Sequence, residues 1–305
     1  SEKMKILISG GTGLIGQELT KRFLKNDHEV GILTRGPEKS EQGGRVKYFH
    51  WDTDSFSALV PIIPDYDVVI NLAGENIGSG LWTRDKKERI RKSRVQAGNG
   101  LAKAIFESRK KPKVFIQSSG VGFYGTSEKE RYDENSPNGH DFLANIAYDW
   151  ENSSVLLEET EVRRVIIRTG VVLDKSSGVL PLMSLPFKLF VGGPIGSGKQ
   201  IISWIHLDDE VGAIEFCINN ESISGPVNLS SPNAVSNANF GKTLAKVIHR
   251  PYWFPTPAFL LKIILGEMST LVLEGQRAYP QKLLESGFKF AYPDLFEALK
   301  HRYNK

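Results

Sequence analysis

Short apolar runs alternate with segments of helical periodicity along most of the 305-residue chain. The apolar runs predict strands, and the periodic segments between them predict helices, among them a long one at 84–109 and another at 207–219. This alternation predicts an α/β fold, a Rossmann-like, doubly wound parallel sheet with right-handed crossovers. The predicted strands lie at 5–9, 29–33, 46–49, 67–71, 114–118, 164–168 and 226–229.

The regular alternation of apolar runs and helical segments ends after Thr169. Residues 192–198 are rich in glycine and predict a loop, and from about residue 233 the chain is helical and rich in proline and aromatic residues. We predict a dinucleotide-binding domain at 4–230, of which about 171–205 contributes to a substrate lobe. A smaller, mostly helical C-terminal lobe is predicted at 231–305. No low-complexity linker separates the two, so we expect them to pack tightly.

A glycine-rich turn joins the first predicted strand to the first predicted helix. Strand, glycine turn and helix in this order are typical of a dinucleotide-binding fingerprint. The glycines let the backbone turn tightly and approach a pyrophosphate, and the helix N-terminus offers N–H groups to the phosphates. The predicted cofactor-binding residues of this turn are Gly10, Thr12, Gly13, Leu14, Ile15 and Gly16.

The second predicted strand ends at Thr34-Arg35-Gly36, without an acidic residue. A site for NAD usually places Asp or Glu at this strand end to bond the ribose 2′-hydroxyl. A guanidinium suits a 2′-phosphate instead, through charge-assisted hydrogen bonds and stacking on adenine. Arg35 therefore predicts NADP(H) as the cofactor. Asp52, after the third predicted strand, is either an adenine contact or a plain turn residue.

Composition and charge narrow the choice of partners. The chain has 39 basic and 35 acidic residues, a net charge of +4, which does not favour nucleic acid. Its one cysteine, Cys217, excludes an intramolecular disulfide and fits a reducing, cytoplasmic location. No apolar segment is long enough to span a bilayer, so we expect no membrane partner. The six histidines and one cysteine lack metal-ligand spacing, so no metal is predicted.

Several further motifs follow the glycine turn in a fixed order: 71–74 (Asn-Leu-Ala-Gly), Ser118-Ser119 before 123–125 (Phe-Tyr-Gly), and 204–209 (Trp-Ile-His-Leu-Asp-Asp). Together they resemble the extended short-chain dehydrogenase/reductase superfamily. Four segments resemble, more narrowly, an epimerase-like subfamily with a distinctive C-terminal domain, sometimes labelled cell-division inhibitors. These segments are NLAGENI at 71–77, GGPIGSGKQ at 192–200, SWIH at 203–206 and LEGQRAYPQKLLESGF at 273–288.

The resemblance implies further cofactor contacts. Leu72, Ala73 and Gly74 would line the groove around the adenosine ribose, beyond the carboxyl end of the fourth strand. Val172, after the sixth strand, would lie near the nicotinamide. Arg89 and Arg94 on the long helix would reach inward. Both belong to a charge run, and most members of such a run face solvent, so we prefer one of the two, Arg94, as the cofactor contact.

The superfamily's Tyr-x-x-x-Lys pair is broken in this chain. Tyr148 is followed four positions later by Asn152, and if Glu151 is aligned with the lysine, Ala147 replaces the tyrosine. We take Tyr148 as a candidate proton donor and Ser119 as a second catalytic candidate. Ser119 either bonds a substrate carbonyl or caps the strand end. For His206, beside two aspartates at a helix start, a structural role is favoured over a general acid.

A last departure concerns the substrate. The resemblance implies an Arg-Asp pair that meets a nucleotide-sugar diphosphate, but Ile202-Ser203 stand there, which disfavours such a substrate. We predict an NADP(H)-dependent oxidoreductase that acts on a small-molecule carbonyl or alcohol. The sequence is compatible with a homodimer and does not determine the oligomeric state. Two alternatives are an epimerase or dehydratase that retains its cofactor, and a catalytically silent NADP(H)-binding regulator.

Overall fold

The computed structural model describes residues 2–74 and 77–304, so Glu75 and Asn76 of the NLAGENI segment lie outside the described residues. The strands are β1 Lys5–Ser9, β2 Glu29–Thr34, β3 Lys39–Glu41, β4 Val46–His50, β5 Val68–Asn71, β6 Val114–Gly120, β7 Arg131–Tyr132, β8 Arg163–Thr169, β9 Val171–Leu173, β10 Ile201–Ile202, β11 Trp204–His206, β12 Gly225–Leu229, β13 Val235–Ser236 and β14 Arg277–Ala278. The helices are α1 Leu14–Lys25, α2 Arg84–Glu107, α3 Phe142–Asn152, α4 Leu180–Lys188, α5 Leu207–Asn219, α6 Asn237–Ile248, α7 Ala258–Leu265, α8 Thr270–Leu273, α9 Gln281–Glu285 and α10 Leu295–Tyr303.

Eight strands form the main sheet, in the order β12-β8-β6-β5-β1-β2-β4-β3. Every neighbouring pair is parallel except β3 with β4. The chain starts at β1, builds outward through β2 and β4, and then returns to build the other side from β5. The predicted doubly wound sheet is therefore confirmed, with its change of direction between β1 and β5. The edge strand β3 was not predicted, because its three residues are polar and exposed.

The central strands are buried on both faces. Ile6 and Ile8 of β1 pack into a cluster with residues of α1 and α5, whereas Leu7 packs into a second cluster with residues of α2. Successive side chains of a strand point to opposite faces, so a continuous apolar run suits a sheet covered on both sides. Helices on both faces then leave the strand ends as the accessible edge of the sheet.

The long helix α2 turns two charged residues inward, Lys86 and Arg94. Thr83 caps its N-terminus, where the hydroxyl accepts a hydrogen bond from the backbone N–H of Lys86. Its buried stripe includes Ile90, Ala97 and Leu101, and Arg94 falls on the same stripe at helical spacing. The helix period therefore directs Arg94 toward the carboxyl ends of the strands.

A third apolar cluster joins two distant parts of the chain. Leu173, Phe187 and Trp204 pack with Phe240 and Leu299, so residues 173–204 share a core with residues 235–303. The division of the chain at residue 230 remains a prediction. In the described part of the chain, every helix is too short or too polar to cross a bilayer.

Candidate functional site

A cavity of about 480 Å³ opens at the carboxyl ends of β1, β5, β6 and β8. Gly10, Leu72 and Gly120 line it directly after or at three of these strand ends, and Thr169 lines it at the fourth. In open parallel sheets this edge, near the change of winding direction, is where ligands bind. Five of the predicted cofactor residues form one wall of the cavity: Gly10, Gly13, Leu14, Ile15 and Gly16.

The glycine turn is built for a close backbone approach. Gly10 has a φ of +77°, and a Cβ there would lie 2.8 Å from the carbonyl carbon of Leu72. A Cβ on Gly16 would lie 2.5 Å from the Cα of Gly11. Gly13 is the N-cap of α1 and supplies no side-chain cap, and the first turn carries no acid. The helix N-terminus thus presents its N–H groups and partial positive charge without a competing carboxylate, as an anionic pyrophosphate requires.

Thr12 is the one residue of the predicted turn set that lies outside the cavity wall. It is exposed at the tip of the turn, where its carbonyl accepts a hydrogen bond of 2.6 Å from the Gln17 side-chain amide. This contact fixes the turn from the solvent side.

Arg35 lies at the same edge of the sheet as the glycine turn. Ser9 pairs with Leu33 across β1 and β2, and Thr34 pairs with His50 across β2 and β4. Arg35 follows directly and is exposed, and it forms no ion pair with the residues that the structure describes. The guanidinium is thus available beside the region where an adenosine ribose would sit.

His50 is a neighbour that the sequence analysis missed. Its Nδ1 lies 3.0 Å from the Gly36 carbonyl oxygen, and its Nε2 lies 3.0 Å from Asp52 Oδ2. The hydrogen bond to Gly36, together with the Asp52 carboxylate, raises the pKa of His50. Asp52, the candidate adenine contact, is therefore already engaged with His50. The sequence signal that could have identified His50 is its position, because it is a polar residue at the end of β4, the strand beside β2.

The motif after β5 lies against the glycine turn. The Leu72 N–H donates to the Ser9 carbonyl, and the Ala73 N–H donates to the Asn71 side chain at 3.2 Å. Leu72 lines the cavity, as does Val172 on the far wall, while Ala73 and Gly74 do not. Ala73 backs onto Gly10, so its backbone shapes the turn from behind.

Arg94 reaches the cavity and Arg89 does not. The Arg94 side chain is almost fully buried, and its guanidinium lies over the Trp150 ring, 4.5 Å from the ring centre. It also donates to the Ile90 carbonyl at 3.2 Å and lies against Gly74. Arg89 is exposed on another face of α2. The structure therefore brings one of the two predicted arginines to the site.

Helix α3 turns Ala147 toward the cavity rather than Tyr148. Leu143, Ile146 and Trp150 share this face, while Tyr148 is half exposed and lies outside the wall. One residue along a helix rotates the side chain by about 100°, which carries Tyr148 away. Of the two alignments of the broken motif, the packing matches the one with Ala147 and Glu151. A methyl group stands where that motif places its phenol, and we do not propose Tyr148 as the proton donor.

Ser119 belongs to a buried polar network and does not line the cavity. Its hydroxyl donates to Glu151 Oε2 at 2.6 Å, and Arg168 binds both Glu151 oxygens at 2.9 Å. Arg168 also donates to the Tyr124 hydroxyl, which in turn donates to Asn228 Oδ1 at 2.6 Å. Burial raises the pKa of Tyr124 to about 12, so its phenol stays neutral. Ser119 therefore belongs to this network through Glu151. Its two predicted roles, a bond to a substrate carbonyl and a cap of the strand end, did not include this partner.

A second acid below the cavity escaped the sequence analysis. Thr169 lines the cavity, and its hydroxyl donates to Glu210 Oε1 at 2.6 Å. Glu210 is fully buried, and its Oε2 has no hydrogen-bond partner among the described residues. Burial raises the pKa of Glu210 to about 8, against the lowering effect of the Thr169 bond. Glu210 follows two aspartates in the first turn of α5, where acids are common, so its sequence position carried no special signal.

His206 caps α5 rather than facing the cavity. Its Nδ1 accepts the backbone N–H of Asp208 at 2.9 Å, and its Nε2 lies 2.8 Å from His301 Nδ1. Its ring stacks on Tyr292 with 4.0 Å between ring centres. His206, Asp208 and His301 offer potential metal-ligand atoms within 4.8 Å of one another. Both His206 nitrogens are, however, engaged in the hydrogen bonds just described.

Comparisons with known proteins give matches along most of the chain. A model of the NAD dependent epimerase/dehydratase family matches residues 6–230, and a domain of unknown function, DUF1731, matches residues 256–301. The epimerase family protein YfhF of Bacillus subtilis is 43% identical over 297 residues, which is 97% of each chain. The epimerase family protein SH2119 of Staphylococcus haemolyticus is 39% identical over 292 residues, 95% of this chain and 96% of its own.

Solved structures match over nearly the whole length. The crystal structure of human epimerase family protein SDR39U1 (isoform 2) with NADPH has a TM-score of 0.88 and 33% identity, covering 99% of this chain and 100% of that one. The UDP-glucose 4-epimerase of Thermotoga maritima with UDP-glucose has a TM-score of 0.79, covering 99% of both chains, but only 16% identity. The second likeness shows the fold alone. The predicted fold class and family resemblance are both confirmed.

Proposed function

This chain belongs to the NAD dependent epimerase/dehydratase family, and from that premise we propose that it is an NADP(H)-dependent oxidoreductase acting on a small, largely apolar carbonyl compound or alcohol. The observation that carries the proposal is the glycine turn, which forms one wall of a cavity whose opposite walls are apolar. A dinucleotide on this turn would extend its reactive end into the cavity.

The choice of NADP(H) rests on the ends of β2 and β4. Arg35 and His50 supply cationic character there, and no acid stands at the end of β2 to bond an unmodified ribose. A 2′-phosphate would offer Arg35 two charge-assisted hydrogen bonds. A human relative, 33% identical, was crystallised with NADPH. When bound, the nicotinamide would supply hydride to a carbonyl carbon or accept it from an alcohol.

The chemistry of the cavity wall supports a mainly apolar substrate. Ile202 and Ser203, where nucleotide-sugar enzymes carry an Arg-Asp pair, both line the cavity, and neither can pair with a diphosphate. Asp141 is used as the N-cap of α3 and Glu274 is exposed, which leaves Arg94 as the buried charge among the described lining residues. A carbonyl or carboxylate oxygen is the substrate group that suits Arg94. The apolar lining includes Leu143, Ile146, Val179, Met183, Leu271 and Val272.

We place the proton source at Thr169 and Glu210, since α3 presents no phenol to the cavity. The Thr169 hydroxyl is the polar group at the carboxyl end of β8, beside Val172 on the predicted nicotinamide side. For this relay the Thr169 hydroxyl would turn from Glu210 toward the substrate oxygen, and the neutral Glu210 carboxyl would donate its proton to Thr169 Oγ1 as the hydroxyl protonates a developing alkoxide. The proton thus moves from Glu210 to Thr169 and from Thr169 to the substrate oxygen.

Two measurements test the proposal in order. Calorimetric titration with NADPH and NADH, with mass spectrometry of ligand released from freshly purified protein, tests the cofactor, and we expect selective binding of NADPH. A screen of small apolar aldehydes and ketones, followed by NADPH absorbance, then tests the reaction. Thr169→Val is expected to lower turnover, while Thr169→Ser, which keeps the hydroxyl, retains it. Selective NADPH binding without oxidation by any compound would count against an oxidoreductase.

Ala147 favours one alternative, a protein that binds the cofactor without catalysis. The superfamily's phenol is replaced by a methyl group, so the usual acid–base chemistry is missing at that point of the wall. Such a regulator would change its partner binding or oligomeric state with NADPH. An epimerase or dehydratase is distinguished from both by cofactor that stays tightly bound, without net oxidation.

A further inference from the structure

A large apolar face stands on the surface of the C-terminal lobe. We define it by residues 189–191, 253–254 and 259–264. Its most exposed side chains are Ile263 at 75%, Phe259 at 66% and Trp253 at 64%. Helix α7 has no buried residue, although six of its eight residues are large and apolar. Monomeric proteins rarely expose contiguous apolar surface of this kind without a partner.

Hydrogen bonds hold the parts of this apolar face together. The Trp253 indole N–H donates to the Phe190 carbonyl at 2.7 Å, and the backbone N–H groups of Trp253 and Phe254 both donate to the Gly192 carbonyl. The Gly196 N–H donates to the Thr256 carbonyl at 2.8 Å, two residues before α7 begins. The Trp253 ring and the backbone that carries Phe190 and Phe254 are therefore held by hydrogen bonds.

The segments that contain the apolar face carry charge of one sign, and the acid that follows α7, Glu267, is ion-paired with Lys87. The segments 175–206 and 222–266, which contain all of this face, include no aspartate or glutamate. The Arg250 guanidinium lies over the Phe190 ring, 4.5 Å from its centre, within the face itself. The cations of the two segments are Lys175, Lys188 and Lys199 in the first, and Lys242, Lys246, Arg250 and Lys262 in the second.

We propose that this apolar face docks on an anionic lipid bilayer surface. Aliphatic and aromatic side chains with lysines on the same helix are typical of segments that lie in the membrane interface. Aromatic residues such as Trp253 suit the headgroup level, and lysines such as Lys262 attract anionic headgroups. A second copy of the chain fits poorly, because a two-fold contact would bring these cations against one another. The expectation of no membrane partner rested on spanning segments and did not address a peripheral contact.

The cavity described above lies next to this face along the chain. Thr270, Leu271 and Val272 line the cavity a few residues after α7, and Met183 lines it one helical turn before the exposed end of α4. A substrate that suits the apolar cavity would also partition into lipid. Docking at this face would hold the cavity close to such a substrate. This last step rests on the proposed function, whereas the docking itself does not.

Vesicle co-sedimentation tests the docking. Full-length protein is mixed with phosphatidylcholine vesicles and with vesicles that also contain phosphatidylglycerol, at low and high salt. We expect binding to the anionic vesicles that weakens with salt. Ile263→Asp is expected to weaken it by about tenfold or more, because a carboxylate would meet both the apolar interface and the anionic headgroups. Lys262→Glu is expected to weaken binding to anionic vesicles only.

Matched controls come from a surface outside the apolar face. Phe106→Asp in the last turn of α2 and Lys110→Glu in the loop after it make the same kinds of change at exposed positions and are expected to leave binding unchanged. Thermal melting and size-exclusion light scattering of every variant check folding and oligomeric state. Equal loss in the control variants, or no binding to anionic vesicles at low salt, would overturn the proposal. A dimer that Ile263→Asp dissociates, without vesicle binding, would assign the face to a second copy instead.

Discussion

Replacing Glu210 by glutamine should change how stability depends on pH. Glu210 is fully buried, accepts one hydrogen bond from Thr169, and has a pKa raised from 4.5 to about 8. In the unfolded chain the same carboxyl ionises at its ordinary pKa. Between these two values the folded protein holds a proton that the unfolded chain releases. The group therefore favours unfolding more strongly as the pH rises from 4.5 toward 8.

The magnitude follows from one proton of difference. A difference of one bound proton changes the free energy of unfolding by about 1.4 kcal/mol per pH unit. From pH 5.5 to pH 7.5 the proton that Glu210 releases on unfolding should lower the stability of the native protein by about 2–3 kcal/mol. Glutamine has nearly the same shape and no ionisation, so the variant lacks this contribution. The variant's advantage over the native protein should grow by that amount across this range.

Urea unfolding at half-unit steps from pH 5.5 to 8.5, followed by circular dichroism, measures this difference directly. The difference between the two proteins cancels the titration of the other groups. The exposed Glu221→Gln, which removes the same charge at the surface, serves as the control. If the difference between native protein and Glu210→Gln stays flat across the range, Glu210 ionises at an ordinary pKa. That result would also remove the proposed proton store beneath Thr169.

Three further changes probe the cofactor turn and the buried network. Arg35→Asp should weaken NADPH binding by about 2–3 kcal/mol, the loss of charge-assisted bonds, and shift preference toward NADH in calorimetric titration; an unchanged preference would make Arg35 a bystander. Gly16→Ala should destabilise the turn by about 1–3 kcal/mol and abolish cofactor binding, because its Cβ would lie 2.5 Å from Gly11, and tight NADPH binding by this variant would refute that geometry. Glu151→Gln should cost about 3–5 kcal/mol in urea unfolding, since it leaves Arg168 buried without its carboxylate, and a loss below about 1 kcal/mol would mean that Arg168 finds another partner.

The sheet was predictable because its signals are local. Each predicted strand is a short apolar run between turn residues, and all seven fall in the main sheet. Leu7 and Ile8 show why such a run is apolar throughout. They are adjacent in sequence but buried on opposite faces of the sheet, so neither of them can be polar. The pairs β9–β11 and β10–β13 were not predicted, because strands of two or three residues carry too little periodicity.

The site was predictable only in part, because side-chain direction depends on packing. The glycine turn and the end of β2 follow from local sequence. Tyr148 and Ala147 are neighbours, and only the packing of α3 decides which of them faces the cavity. The contact between Ser119 and Glu151, 32 residues apart, and the one between Thr169 and Glu210, 41 residues apart, are set by the tertiary fold. No local pattern encodes such distances.

The third apolar cluster has a consequence for how the protein is made. Trp204 is completely buried, and part of its cluster comes from Leu295, Ala298 and Leu299 of α10. These residues leave the ribosome about a hundred positions later, roughly 5–20 s at typical rates of synthesis. During that interval the main sheet can assemble while this cluster lacks one wall. The nascent chain is therefore expected to pass through a stage in which the main sheet is formed while the third apolar cluster is still exposed, the stage at which chaperones would engage it.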